Sequence, residues 1–259
     1  MPKTQYNITA IPAFTDNYIW CIHNQTHAAV VDPGDALPVM EFLNNNKLIL
    51  TDILITHHHH DHTGGISTLL DNNAELTVFG PQNERIKGIT QRVAENDVVT
   101  IDSLGIAYSV LSVPGHTLDH IAFSNDTEVF CGDTLFSAGC GRMFEGTPEM
   151  FVHSLDKLAN LPEETKVFCT HEYTLANLAF AKHVDASNND LHEYANWAER
   201  QREEGLITLP SDIKTQKLIN PFLRANDPKI QSFLQASGNL SIQDSVSCFA
   251  SLRALKDNF

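Results

Sequence analysis

Thr56-His57-His58-His59-His60-Asp61-His62-Thr63-Gly64-Gly65 follows directly on the apolar run Leu48 to Ile55. A β-branched, apolar run of that length ending in turn residues predicts a buried strand with a polar cluster at its tip. An engineered histidine tag sits at a terminus, whereas this cluster is internal, contains an aspartate and closes on Gly-Gly. Read alone, the segment suits a solvated loop as well as it suits a metal site. In extended backbone His57 and His59 share one face and His58 and His60 the other, so one alternating pair is expected to bind rather than all four.

Three further segments repeat the design of a hydrophobic strand ending in a residue able to hold a metal: Leu111-Ser112-Val113-Pro114-Gly115-His116, Val129-Phe130-Cys131-Gly132-Asp133 and Val167-Phe168-Cys169-Thr170-His171. Any one of these would more often be a cap or a turn residue, but four together point to a site at the strand ends, where α/β folds place them. The ligand candidates counted are His57, His59, Asp61, His62, His116, Asp133 and His171, although spacing alone does not say which of His57 to His60 bind. A catalytic zinc takes about three protein ligands and keeps one position open. The set therefore fits two metals sharing one carboxylate, ~3.5 to 4 Å apart with a water between them. Metal binding lowers the pKa of water from ~15.7 to about 7, which removes the need for a serine or cysteine nucleophile, and no GxSxG elbow is found. Imidazole and carboxylate suit zinc, and they suit iron and manganese too.

Outward from these segments, strands are expected at Tyr18 to His23, Ala28 to Asp32, Leu48 to Thr56, Ile106 to Val113, Ile121 to Ser124, Val129 to Gly132 and Val167 to Thr170. Helices are expected at Ala36 to Asn45 after the Asp32-Pro33-Gly34 turn, Ile66 to Asp71, and Pro148 to Ala159 with Thr147 as N-cap. From Tyr173 the strand signals fade, and Leu175 to His183, Asp190 to Glu204, Pro228 to Ala236 and Asp244 to Asp257 read as helices. The reading is an α/β domain over 1–172 followed by a helical domain over 173–259.

The chain has 259 residues, 42% of them apolar, enough for a sizeable core. No apolar run approaches the ~20 residues that cross a bilayer, and the first residues lack a basic segment followed by a hydrophobic stretch, so a cytoplasmic protein without membrane contact is expected. The five cysteines are scattered and never spaced CxxC, which argues against a disulfide framework or a thiolate zinc site. A formal charge of −15 repels polyanions, so nucleic acid is not an expected partner. A monomer is expected.

Thr56 to His62 resembles the THxHxDH motif of the metallo-β-lactamase superfamily in register, and His116, Asp133 and His171 follow in that superfamily's order. The resemblance implies an αββα sandwich with metals at the open edge of two packed sheets. It implies that His57, His59 and His116 bind one metal, that Asp61, His62 and His171 bind the other, and that Asp133 bridges them. Within the superfamily the chain is most similar to the hydroxyacylglutathione hydrolase (glyoxalase II) family, essentially end to end. Thr15-Asp16-Asn17-Tyr18, Gly139 to Thr147, Cys169 to Thr174 and Asn220-Pro221-Phe222-Leu223-Arg224 carry that similarity. It implies hydrolysis of S-D-lactoylglutathione to D-lactate and glutathione by a metal-bridging hydroxide, with two divalent ions, zinc foremost. It also implies a glutathione site made of Arg142, Phe144, Tyr173, Arg253 and Lys256. Phe144 stands where some members have tyrosine, which removes one hydroxyl contact.

Arg253 and Lys256 would also serve simply to complement the dipole of a last helical turn. His120 is a turn or core histidine or a hydrogen-bond partner of a ligand. His153, His183 and His192 are expected on helix surfaces, and Cys131 and Cys169 as small buried groups. Two other readings compete: a glutathione persulfide dioxygenase of the same fold, using one iron, and a non-catalytic metal-binding protein.

Overall fold

The computed structural model describes residues 6–73, 75–238 and 244–259, in two compact units. The first comprises the chain to Ser112 with Asp119–Asn125 and Val129–Gly132, and the second Val113–Leu118, Asp126–Glu128 and the chain from Asp133 onward.

In the first unit β1 (Asn7–Ala13), β2 (Asn17–His23) and β3 (His27–Val31) form an antiparallel meander. The chain then crosses over through α1 (Ala36–Asn46) to β4 (Ile49–Leu54), which lies parallel to β3. The next crossover holds α2 (His60–Thr63) and α3 (Ile66–Asn72) and returns as β5 (Thr77–Pro81), with β6 (Gln91–Val93) again parallel. Asp35 caps α1 by accepting from Leu37 N–H, and Lys47 ends it in the left-handed region at φ 55°. Val39 and Leu43 of α1 and Ile66 and Leu69 of α3 bury against one sheet face, with Ile19, Cys21, Val30, Ile53, Ile55 and Val78. The alternate residues Trp20, Ile22, Ala29, Val31 and Leu54 are buried on the opposite face. Both faces of these strands are therefore covered, as a sandwich requires.

The second layer of this unit is antiparallel: β7 (Val98–Ile101), β8 (Ile106–Ser112), β9 (Ile121–Ser124) and β10 (Glu128–Gly132), adjacent in that order. Tyr108 and Val110 of β8 point inward between the exposed Ala107 and Ser109, and Tyr108 meets the Phe130 ring edge-on at 5.7 Å.

The second unit contains a two-residue hairpin of β11 (Leu135–Phe136) and β12 (Gly139–Cys140), then α4 (Pro148–Ala159), β13 (Lys166–Cys169), α5 (Thr174–Val184) and α6 (Asn189–Glu203). There follow β14 (Ser211–Asp212), which pairs with β13, α7 (Ile213–Ile219), α8 (Pro228–Ala236) and α9 (Ser245–Asp257). Thr147 caps α4 by accepting from Met150 N–H, with Pro148 in the first turn. Leu178, Ala181, Leu191, Ala195, Ala198 and Ile219 form one helical core with Ala138. Phe151 and Phe249 bring the rings of α4 and α9 to 5.3 Å.

The chain folds as the αββα sandwich with a helical C-terminal part. The expected strands and helices are present within a residue or two of their ends, while β1, β5, β6, β7, the short β11, β12 and β14, and the helices α2 and α7 are additions to those expectations. All five cysteines are buried free thiols. His153, His183 and His192 are exposed on their helices.

Candidate metal centre

Strand β4 delivers Ile55, Thr56 and His57, all fully buried, just beyond its last paired residue. Its parallel neighbour β3 ends beside it, with Asp32 N donating to Leu54 O at 2.9 Å. Asp32 is buried, in the left-handed region at φ 52°, and its carboxylate accepts three hydrogen bonds. These come from Thr56 N–H (2.8 Å), Thr56 Oγ1 (2.7 Å) and His62 Nδ1 (2.9 Å). A carboxylate can only accept, so His62 carries its proton on Nδ1 and its lone pair on Nε2. Thr56 spends its hydroxyl proton on Asp32 and receives His57 Nδ1–H at 3.1 Å, which leaves the His57 lone pair on Nε2 as well.

That Nε2 lies 3.0 Å from His59 Nδ1, and the His57 and His62 rings are 4.0 Å apart between centroids. Asp61 receives Asn17 Nδ2–H at 3.1 Å and stands 3.6 Å from His62 Nε2. The glycines explain how the loop is seated. A Cβ on Gly34 would lie 1.9 Å from Asp61 O, and one on Gly65 2.5 Å from Pro33 O, so the Asp32-Pro33-Gly34 turn and the Asp61-to-Gly65 turn touch backbone to backbone. His58 turns away, to Asp119 at 2.8 Å and Arg85 at 3.3 Å, and His60 is exposed. His120 is fully buried and stacks on His57 at 4.5 Å and 15°, with Nδ1 donating to Ile121 O.

In the second unit His116 Nδ1 donates to Arg142 O at 2.7 Å, which again leaves Nε2 as the lone-pair nitrogen. Asp133 is buried with Oδ2 3.5 Å from His116 Nε2 and 3.3 Å from His171 Nε2. A carboxylate oxygen facing the lone pair of His116 is an arrangement of two electron donors, which a shared cation reconciles. The Tyr173 ring lies parallel on His171 at 4.7 Å and 3°, and the exposed Phe144 ring stands edge-on to His116 at 5.2 Å.

Arg142 is exposed, 3.8 Å from Asp257. Lys256 donates to Ala176 O at 3.1 Å over the rings of Phe180 and Phe259. Burial, with Arg253 and Arg142 nearby, holds its ammonium below the usual lysine range. Arg253 is buried, its guanidinium donating to Cys140 O (3.0 Å) and to Asp257 (2.9 and 3.2 Å) and lying over the Phe222 ring. Of the five residues expected to touch glutathione, Arg253 is thus the one turned inward. Burial pushes the Cys140 thiol up to about 11 and the Cys21 thiol to about 12, so neither is a nucleophile near neutrality.

The ligand candidates fall into two groups, His57, His59, Asp61 and His62 in the first unit and His116, Asp133 and His171 in the second. Three of the five histidines have Nδ1 anchored so that Nε2 is the donor atom, the arrangement of histidines that hold divalent metal ions. The donor set fits such ions. Asp32, which the sequence reading took only as a turn residue, orders the first group. Its signal is its place at the end of an apolar strand immediately before Pro-Gly.

Residues 14–78 match the family model of the metallo-beta-lactamase superfamily and residues 172–259 that of the hydroxyacylglutathione hydrolase C-terminus. The hydroxyacylglutathione hydrolase of Photobacterium profundum is 50% identical over 97% of this chain and 99% of its own length. That of Shewanella halifaxensis is 51% identical over 97% and 99%. Among solved structures, ETHE1 from Myxococcus xanthus shares the fold with a TM-score of 0.63 at 24% identity, covering 97% of this chain and 98% of that one. The sandwich, the anchored histidines and this full-length identity agree: the chain belongs to the hydroxyacylglutathione hydrolase family of the metallo-β-lactamase superfamily.

Proposed function

We propose that this protein hydrolyses the thioester of S-(2-hydroxyacyl)glutathione, chiefly S-D-lactoylglutathione to D-lactate and glutathione. The observation that carries the reading is the set of three Nδ1 anchors, Thr56, Asp32 and Arg142 O, which present the Nε2 atoms of His57, His62 and His116 as metal donors. His57, His59 and His116 would hold one ion and Asp61, His62 and His171 a second, with Asp133 available to both. Zinc is the metal taken as foremost, with iron or manganese acceptable to the same imidazole and carboxylate donors. Bound there, such ions lower the pKa of water to about 7 and polarise a carbonyl.

The chain's own residues do the rest. Arg142 and Lys256 offer positive charge to an anionic glutathione conjugate against the net charge of −15. Tyr173 and Phe144 present ring surface next to His171 and His116. Arg253 acts on binding through the Cys140-Gly141 segment it holds. The leaving thiolate, with a parent pKa of about 8.5, departs without a protein acid. Residues 1–172 form the catalytic domain, and 173–259 the helical domain that contributes to substrate binding. The protein works as a cytoplasmic monomer; its five cysteines are free thiols, as a reducing compartment keeps them.

The test is hydrolysis of S-D-lactoylglutathione by purified protein, with metal content measured on the same sample and a chelated control. Turnover lost on chelation, with about two metals per chain, is expected. One iron per chain without turnover would favour the persulfide dioxygenase, and bound metal without hydrolysis of any thioester would favour a metal-binding protein.

A further inference from the structure

The hairpin β11–β12 turns on Ser137-Ala138, a pair without the Asn-Gly or Asp-Gly chemistry that such tight hairpins use. Ala138 sits at φ 56°, in the left-handed region that costs a residue with a Cβ about 1 kcal/mol. The turn therefore needs outside support, and two fully buried amides of α7 and its C-cap supply it. Gln216 Oε1 accepts Ala138 N–H at 2.8 Å, and Asn220 Nδ2 donates to Gly139 O at 2.9 Å and Phe136 O at 3.2 Å. Asn177 Nδ2 donates to Ser137 O at 3.1 Å, and Tyr194 meets the Ser137 hydroxyl at 3.0 Å. Helical side chains thus satisfy the turn's polar groups in place of local turn chemistry.

The two arms of this hairpin lead to the second group of ligand candidates. One begins just after Asp133. The other ends just before Arg142, whose carbonyl accepts the hydrogen bond of His116 Nδ1–H. The arms are closed tightly between these points: Gly141 N donates to Thr134 O, and a Cβ on Gly141 would lie 2.0 Å from Asp133 O and 3.0 Å from His116 Nδ1. A displacement of the turn moves Asp133 and the carbonyl that orients His116 together.

We infer that Gln216 and Asn220 are positioning residues for the metal ligands Asp133 and His116, so that the C-terminal helices set metal affinity as well as substrate contact. This rests on the reading of Asp133 and His116 as ligands. The experiment titrates metal-free full-length protein with Zn2+ against a chromophoric chelator, with melting temperatures taken on the same metal-free samples. Gln216→Met, which keeps the volume and loses the acceptor, should weaken Zn2+ binding about 10- to 100-fold, the usual effect of removing a group that orients a ligand. Gln216→Glu, which keeps an acceptor for Ala138 N–H, should lie nearer the wild type. Leu234→Ala, buried in α8 and outside the core that holds Ala138, should lower the melting temperature and leave Zn2+ affinity unchanged. Should Gln216→Met fail to fold, Asn220→Ser carries the same expectation. Wild-type Zn2+ affinity in Gln216→Met, or an equal loss in Leu234→Ala, would overturn the inference alone. A wild-type protein that takes up no Zn2+ would overturn the ligand reading and the inference with it.

Discussion

Replacing Asp32 by asparagine tests the logic of the site without touching a ligand. The carboxylate now accepts from Thr56 N–H, Thr56 Oγ1 and His62 Nδ1. Asparagine keeps one accepting oxygen for Thr56 N–H but places an NH2 where Oδ2 was, facing the threonine hydroxyl and the imidazole. The hydroxyl must then accept and turn its proton toward His57 Nδ1, while His62 must release Nδ1–H, so both imidazoles shift to the Nε2–H tautomer. In that tautomer the atom aimed at the metal no longer has a lone pair. Exchanging two charge-assisted bonds of about 1.5–3 kcal/mol each for neutral ones near 1 kcal/mol destabilises the metal-free fold by about 1–4 kcal/mol. Zn2+ affinity should fall at least about 10- to 100-fold, and thioester turnover by roughly 10³ to 10⁴, as when a buried aspartate that fixes a catalytic histidine is neutralised. Urea unfolding of the metal-free protein, chelator competition and the lactoylglutathione assay read the three effects. An Asp32→Asn protein that binds two Zn2+ within about threefold of wild type and turns over at a comparable rate would refute the tautomer argument.

His58→Ala should leave turnover within about twofold, because His58 bonds to Asp119 and Arg85 rather than to the ligand group, and should cost about 1 kcal/mol in urea unfolding. A loss of bound metal would place His58 among the ligands. Arg253→Ala strips the donor from the buried Cys140 O and the partner from the exposed Asp257 and should cost about 1–3 kcal/mol, most of it from the carbonyl, with Arg253→Lys recovering only part because an ammonium cannot fork. An unchanged unfolding midpoint would show that the guanidinium does not hold the segment. Burial raises the Asp52 carboxyl above its usual range and Asp102 adds to the shift, against a lowering hydrogen bond from Thr51. A raised folded-state pKa means that stability falls as pH climbs from the ordinary carboxylate value through the raised one. Asp52→Asn should therefore stabilise the metal-free protein at pH 7, with the gain vanishing below about pH 3.8, where both states are protonated. A melting-temperature difference independent of pH would contradict the assignment.

Most strands that could be read from the residues are buried on both faces, because continuous apolar runs bounded by turn residues leave little choice. β2, β3, β4, β9 and β10 are of this kind. β8 is legible although its alternate residues are exposed, and β5 is not although it is buried. β1 escaped because its residues are mostly half-buried and it contains Pro12, and β6 and β7 because short strands with exposed alternate residues resemble loops. The same contrast divides the site. Alternation at the end of a recognisable strand separates His57 and His59 from His58 and His60, and the resemblance to the THxHxDH motif picks the first pair; in the structure those two face each other while His58 points elsewhere, as the two-residue period of extended backbone requires.

What supports those ligands follows no period. Asp32 is 24 residues from the threonine it bonds and 30 from His62. Gln216 reaches Ala138 across 78 positions, and Arg253 reaches Cys140 across 113. No local pattern announces such partners, since each is specified by an empty hydrogen-bond position created where two distant strands or turns end. Yet each such position has a predictable chemistry once the backbone is known: an imidazole Nδ1 that must donate, a left-handed Ala138 N–H that has no strand partner. A sequence rich in histidine and aspartate at strand ends therefore offers candidate ligands, and only the tertiary structure identifies the residues that decide which nitrogen of each candidate is available.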